Sequence, residues 1–328
     1  DLSLSTDEQT TVIEGRKYSA ASFVRTAAAT IVGTDAAEEI AVSQNASGDT
    51  IVDVTRNGKT SSLNIGRIAA VTVSAGGGDD TVTIRGANYF GGVVVRGGAG
   101  DDRLTVNADY ALSRGITVRG DAGNDEIAVS GKGSAAQAEG GAGDDQIDAT
   151  GLKGEAELAR RLSGDTGNDR IRGSGGADSI FGGDGADLIL AGAGNDNVDG
   201  GEGSDTLHGD AGDDTMMGGN GNDVLYGEAG QDLIFGQAGD DILMGGAGGD
   251  SMHGGAGNDY LYGGGSNDTV VEIGQSGRRG TTGLFNVLYG GMGRDVFAPS
   301  SLAPFQEVPY SGTGNYLADF SARLDLLV

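Results

Sequence analysis

Residues 164–199 read GDTGNDRIR GSGGADSIF GGDGADLIL AGAGNDNVD, four copies of one nine-residue unit that continues unbroken to residue 271 for twelve copies in all. Each copy has an aspartate sixth and an apolar residue eighth. A fixed short period means that each unit packs on its neighbours rather than into one globular core, so this stretch decides the fold. Glycines at the first, second and fourth positions permit positive φ, which lets the chain turn tightly and aim carbonyl oxygens inward. The following x-apolar-x triplet makes a short strand whose middle residue points in, as at Ile171, Ile180, Ile189, Val198 and Leu207. Two units complete one rung, and alternate units fall in opposite sheets.

The sixth-position residues are Asp169, Asp178, Asp187, Asp196, Asp205, Asp214, Asp223, Asp232, Asp241, Asp250, Asp259 and Asp268. They supply a hard anionic oxygen at one fixed point per turn, and calcium takes about six to eight such oxygens. One inward aliphatic side chain per unit is too little to offset the entropy of ordering the whole unit. Stacked rungs also hold like-placed carboxylates about 5 Å apart, a repulsion of roughly 1–3 kcal/mol per neighbouring pair. The segment is therefore expected to be disordered without a cation.

Composition points the same way. The formal charge is −27, from 48 acidic and 21 basic residues, and 65 of 328 residues are glycine. Such acidity argues against a nucleic-acid partner. A merely solubilising acidic tail has no reason to keep aspartates at regular nonapeptide intervals beside inward Ile and Leu. Calcium between loops two units apart gives five gaps on each side of twelve loops, about ten ions, and four upstream gaps would bring roughly 28 positive charges against −27. Cysteine is absent, and no apolar run approaches the ~20 residues of a membrane span. Low cytosolic calcium would leave the chain unfolded for export, and higher extracellular calcium would fold it outside. The first residue is Asp1 rather than Met, which admits processing upstream.

Upstream, the motif recurs at 75–83 (AGGGDDTVT), 97–105, 120–128 and 140–148 before the tandem block opens at 164. Each of these steps is longer than two nonapeptides. They suit a longer rung of a parallel β-helix with Asp80, Asp102, Asp125 and Asp145 in one column leading to Asp169, and calcium along one edge only. A degenerate copy stands at 33–41 (GTDAAEEIA), and the interval from 33 to 75 is read as two such rungs. Residues 40–42, 50–55 and 68–73 read as strands with Asn57-Gly58 as a turn. Residues 155–162 (EAELARRL) read as a short helical excursion. Downstream, residues 272–289 keep the phase as one drifted rung, with Gly277 and Asn286 where aspartates would stand, and 290–298 (GGMGRDVFA) restores the motif with Asp295. Ser266 replaces a fourth-position glycine. The chain divides into an N-terminal cap with degenerate rungs (1–74), a long-rung helix (75–163), the twelve-repeat roll (164–271) and a C-terminal cap (272–328).

These motifs resemble the RTX, or hemolysin-type calcium-binding repeat, family of secreted proteins, most specifically over 164–271 and also over 75–163. The resemblance implies an all-β, right-handed parallel β-helix or β-roll solenoid with stacked calcium-binding turns, in which each sixth-position Asp bridges ions above and below it. It also implies export by a type I system, and residues 317–328 (LADFSARLDLLV) look like that family's endings; a short packing strand explains the tail equally well.

The family attaches such rolls to many activities, so the fold names none. His208 and His253 are the two histidines, both at the outward ninth position. H-E-x-x-H, G-x-S-x-G and cysteine nucleophiles are absent, so no catalytic residue is assigned. Arg85, Arg96, Arg103, Arg114 and Arg119, with Tyr89 and Tyr110 nearby, are better read as solvated charge than as a lyase site. One sheet should display Leu188, Leu190, Val224, Tyr226, Ile242, Met244, Tyr260 and Tyr262, a stripe larger than a soluble monomer usually leaves open. The expectation is a non-enzymatic, secreted calcium-binding structural or adhesive protein of the cell surface or extracellular matrix. Its partner would be itself, as filament, layer or matrix, or another surface component. The competing expectation is a calcium-dependent export and folding module of a larger secreted enzyme acting on polysaccharide.

Overall fold

A computed structural model describes residues 4–6, 10–13, 28–86, 92–108, 115–132, 135–153, 160–272, 287–292, 296–299 and 316–317. Among them there is no helix, and the strands stack as a parallel β-solenoid apart from antiparallel pairs near its N-terminal end. The chain forms two compact units, Asp1–Ala177 and Asp178–Val328.

In the first unit one sheet runs Leu4–Thr6, Thr10–Ile13, Ala28–Val32, Ala70–Gly77, Gly92–Ala99, Ile116–Ala122, Ala136–Ala142 and Arg160–Thr166. The other runs Lys59–Gly66, Thr50–Arg56, Glu39–Gln44, Thr81–Arg85, Arg103–Ala108, Glu126–Lys132, Gln146–Lys153 and Arg170–Arg172. Register follows the motif spacing, with Val82, Leu104 and Ile127 in line and Val71, Val93 and Ile116 in line opposite. All six are buried, because alternation along each strand sends every second side chain into the narrow interior.

Two expectations fail in this unit. The interval from 33 to 75 is one rung, not two: Ile40 pairs directly with Val82 and Ile31 with Val73. The excess chain forms Thr50–Arg56 and Lys59–Gly66, which extend the sheet antiparallel from Glu39–Gln44. Their turn is the expected one, with Asn57 and Gly58 both at positive φ (51° and 70°), the conformation that twists in step with flanking strands. The helical reading of 155–162 also fails where it is testable. Arg160, Arg161 and Leu162 are strand, paired with Ala136, Gln137 and Ala138, and the buried Leu162 fills an inward position. The rest of that segment lies outside the described residues.

In the second unit one sheet runs Ser179–Asp184, Asn197–Glu202, Thr215–Asn220, Leu233–Ala238, Ser251–Ala256, Thr269–Glu272, Val296–Pro299 and Tyr316–Leu317. The other runs Leu188–Leu190, Thr206–His208, Val224–Ala229, Ile242–Ala247, Tyr260–Gly265 and Val287–Met292. Through the array each strand pairs with the strand two units on, so two units do make one rung. The inward line Ile180, Val198, Met216, Ile234, Met252 and Val270, and its counterpart Ile189, Leu207, Leu225, Leu243 and Leu261, is fully buried. The drifted rung is corrected. Tyr260 pairs with Val287 and Thr269 with Val296, three units on instead of two. One unit is therefore bypassed, and Val287 joins the sheet opposite to the one its phase predicts. Gly277, Asn286 and Asp295 lie outside the described residues, as does the tail beyond Leu317.

Candidate metal centre

The sixth-position aspartates line up on the turns. In the first unit they form one column, Asp80, Asp102, Asp125, Asp145 and Asp169, and each backbone N–H donates to Oδ1 of the next member at 2.7–2.8 Å. In the second unit there are two. One is Asp178, Asp196, Asp214, Asp232, Asp250 and Asp268, and the other Asp187, Asp205, Asp223, Asp241 and Asp259, with the same bond repeated on every rung. All sixteen are 3 % exposed or less. A negative charge so placed is costly unless something compensates it.

Glycine shapes the turn at three positions for two different reasons. Positive φ occurs at the second and fourth positions, as at Gly201 (110°) and Gly203 (125°), and not at the first. The first-position glycine is there for space. A Cβ on Gly227 would stand 2.5 Å from Asp232 Oδ2 and 2.6 Å from the carbonyl oxygen of Gly245 on the next rung. At the fourth position a Cβ on Gly212 would run into the carbonyl of Gly194. The second position tolerates Asp165, Asp210, Glu228 and Gln237 at positive φ, and Ser266 at a fourth position adopts φ 83°, so its turn keeps Asp268 in the column.

The arrangement therefore leaves a small oxygen-lined cradle per turn. Oδ1 is taken by the ladder, whereas Oδ2 of Asp80, Asp102, Asp125, Asp145, Asp205, Asp214, Asp223, Asp232, Asp241 and Asp250 is buried without a hydrogen-bond partner among the described residues. Where the first-position glycine precedes it, as at Gly227 and Asp232, that oxygen faces a backbone carbonyl across the space a Cβ would fill. Carboxylate plus carbonyl oxygens at one point suit a hard cation. Among the described residues no three His, Cys, Asp or Glu side chains converge, and the oxygen that faces a free Oδ2 at the first-position glycine, as at Gly227, is a backbone carbonyl.

Electrostatics express the same need. Burial, reinforced by neighbouring aspartates, pushes Asp145, Asp205, Asp214 and Asp241 up to about 7. Asp102, Asp125, Asp169 and Asp232 rise to about 6, again mainly through burial, with the ladder hydrogen bond pulling them partly back. A bound divalent cation would supply the missing counter-charge.

The fifth position carries a second ladder that the sequence reading passed over. Asn124 N–H donates to Asp101 Oδ1 and Asp144 N–H to Asn124 Oδ1, both at 2.8 Å, and Asp240 and Asn258 continue the pattern in the second unit. It runs against the sixth-position ladder, donating to the preceding rung. The frequent Asn or Asp just before each sixth-position Asp was the available signal.

The model of the RTX calcium-binding nonapeptide repeat matches residues 91–109 and, in overlapping segments, 163–270. The chain carries RTX calcium-binding nonapeptide repeats. These RTX repeats bind calcium, and the matched segments include the aspartates Asp102, Asp169 and those through Asp268. None of the curated proteins compared with the chain matches it. Among the described residues no helix is long and apolar enough to cross a membrane.

Proposed function

We propose that this chain is a secreted, non-enzymatic protein of the cell surface or extracellular matrix that folds on calcium and then associates with further copies of itself. The RTX repeats support the calcium-dependent, secreted part of this reading. The observation that carries the associative part is an outward ladder on one sheet of the second unit. Leu188, Thr206, Val224, Ile242 and Tyr260 stand in register, and beside them Leu190, His208, Tyr226, Met244 and Tyr262. His208 and Tyr226 stack with ring centroids 4.6 Å apart, and Ile242 and Tyr262 are 38 % and 40 % exposed. Parallel stacking fixes these side chains in straight, mainly apolar rows in which Ile242 and Tyr262 stand exposed, and such a surface is one that association covers.

The test is electron microscopy with light scattering on the chain taken from chelator to millimolar calcium. Ordered polymers should appear with calcium and disappear when Ile242 and Tyr262 are replaced by Glu. A stable monomer in saturating calcium would overturn self-association and redirect attention to a role as the folding module of a larger secreted enzyme.

A further inference from the structure

The carboxylate column of the first unit does not begin at Asp80. One rung earlier Glu38 occupies the sixth position of the 33–38 turn, and its N–H donates to Asp80 Oδ1 at 2.7 Å, the same bond that joins all later members. Its side chain is fully buried. This turn has no residue at positive φ, with Thr34 and Ala36 standing where later turns have glycine, although a Cβ on Gly33 would still meet Glu38 Oε2 and the Ala75 carbonyl as at later turns. What meets the Glu38 carboxylate is a guanidinium. Arg56 is paired with Glu38 Oε1 and donates to Thr34 Oγ1 at 2.8 Å, and Thr34 N–H donates to Glu38 Oε2 at 3.2 Å.

Arg56 ends the strand Thr50–Arg56, part of the antiparallel excursion that lengthens this rung. The positive charge is also felt one rung on, where Arg56 opposes the rise that burial imposes on Asp80. A second buried arginine in the same unit also lies against a turn: the Arg160 Cζ is 3.3 Å from where a Cβ on the fourth-position Gly176 would stand.

We propose that Arg56 is the resident cation of the column: delivered by the hairpin, it takes at the first turn the place that calcium takes at later ones and ends the column there. The 33–38 turn then binds no ion, and its order is independent of calcium concentration once the neighbouring rung is folded.

The experiment compares full-length wild type, Arg56→Gln, Arg56→Lys and the double variant Glu38→Gln/Arg56→Gln in saturating calcium, by hydrogen exchange and by calcium bound per chain. Removing one partner leaves a buried charge unpaired, so Arg56→Gln should speed exchange in Ala28–Val32 and Glu39–Gln44 on the order of a hundredfold. Exchange in Ile116–Ala122 should not change, and bound calcium should not fall. The double variant should recover most of the protection, because no charge remains to be compensated, and Arg56→Lys should keep a large part of it. A fall in calcium bound by Arg56→Gln, unaltered local exchange, or no rescue in the double variant would each overturn the proposal. If Arg56→Gln does not fold at all, the double variant still decides.

Discussion

At the residue scale, the turn separates glycines that serve conformation from glycines that serve space. Gly227 does not need positive φ, so Gly227→Ala acts only by pushing a methyl group against Asp232 Oδ2 and the Gly245 carbonyl. It should cost about 1–3 kcal/mol, as overpacking does, and raise the calcium midpoint of folding followed by circular dichroism. Asp232→Asn dissects the other half. It keeps an acceptor for the Asp214 N–H but removes the charge, so it should fold in calcium with fewer ions bound, measured by equilibrium dialysis. The sixth-position aspartates were legible from the sequence because side chain and spacing coincide. The role of the first glycine was not, since it depends on an oxygen of the next rung, and neither was the fifth-position ladder, whose Asn and Asp alternate with Ser, Gln and Gly and so look like tolerance.

At the element scale, a column of buried carboxylates is a proton sink when no cation is present. Asp102, Asp145, Asp205 and Asp241 have folded-state pKa values raised from 3.8 to about 6–7, chiefly by burial. In that window the folded state holds more protons than the unfolded state, so stability falls as pH rises. In chelator, the column's contribution should be fully present below about pH 4 and lost as pH climbs through 6 to 7. Folded content by circular dichroism between pH 4 and 8 should therefore fall with pH in chelator, whereas urea midpoints in calcium should rise with pH, because protons compete with the ion for the same oxygens. A flat profile in chelator would mean that the aspartates are far more solvated than their burial indicates. Strand placement was legible wherever the period held. It failed between 33 and 75, where the step is arithmetically two rungs but physically one rung plus a hairpin, and at 272–289, where two units of chain preserve phase while one is bypassed. Periodicity counts residues, and only pairing shows which of them are in the stack.

At the scale of the whole molecule, the two units balance apolar burial against charge differently. The rung containing Gly92–Ala99 and Arg103–Ala108 buries Val93, Val95, Leu104, Val106 and Ala108, pairs Val93 with Ile116 on the next rung, and carries one carboxylate column. The rung containing Asn197–Glu202 and Thr206–His208 buries Val198 and Leu207 in a shorter two-unit repeat that carries two columns. Each ordered residue in the first unit is thus backed by more buried aliphatic surface, and each rung concentrates half as many carboxylates. Ordering entropy scales with residues fixed, while the opposing gain scales with apolar area, so the second unit leans harder on calcium. As free calcium is lowered, amides of Thr215–Asn220 and Val224–Ala229 should lose protection before those of Ile116–Ala122 and Glu126–Lys132, followed by hydrogen exchange with mass spectrometry. The reverse order would mean that the one-column rungs take their stability from ions after all, and that their larger apolar interior is packed too loosely to substitute.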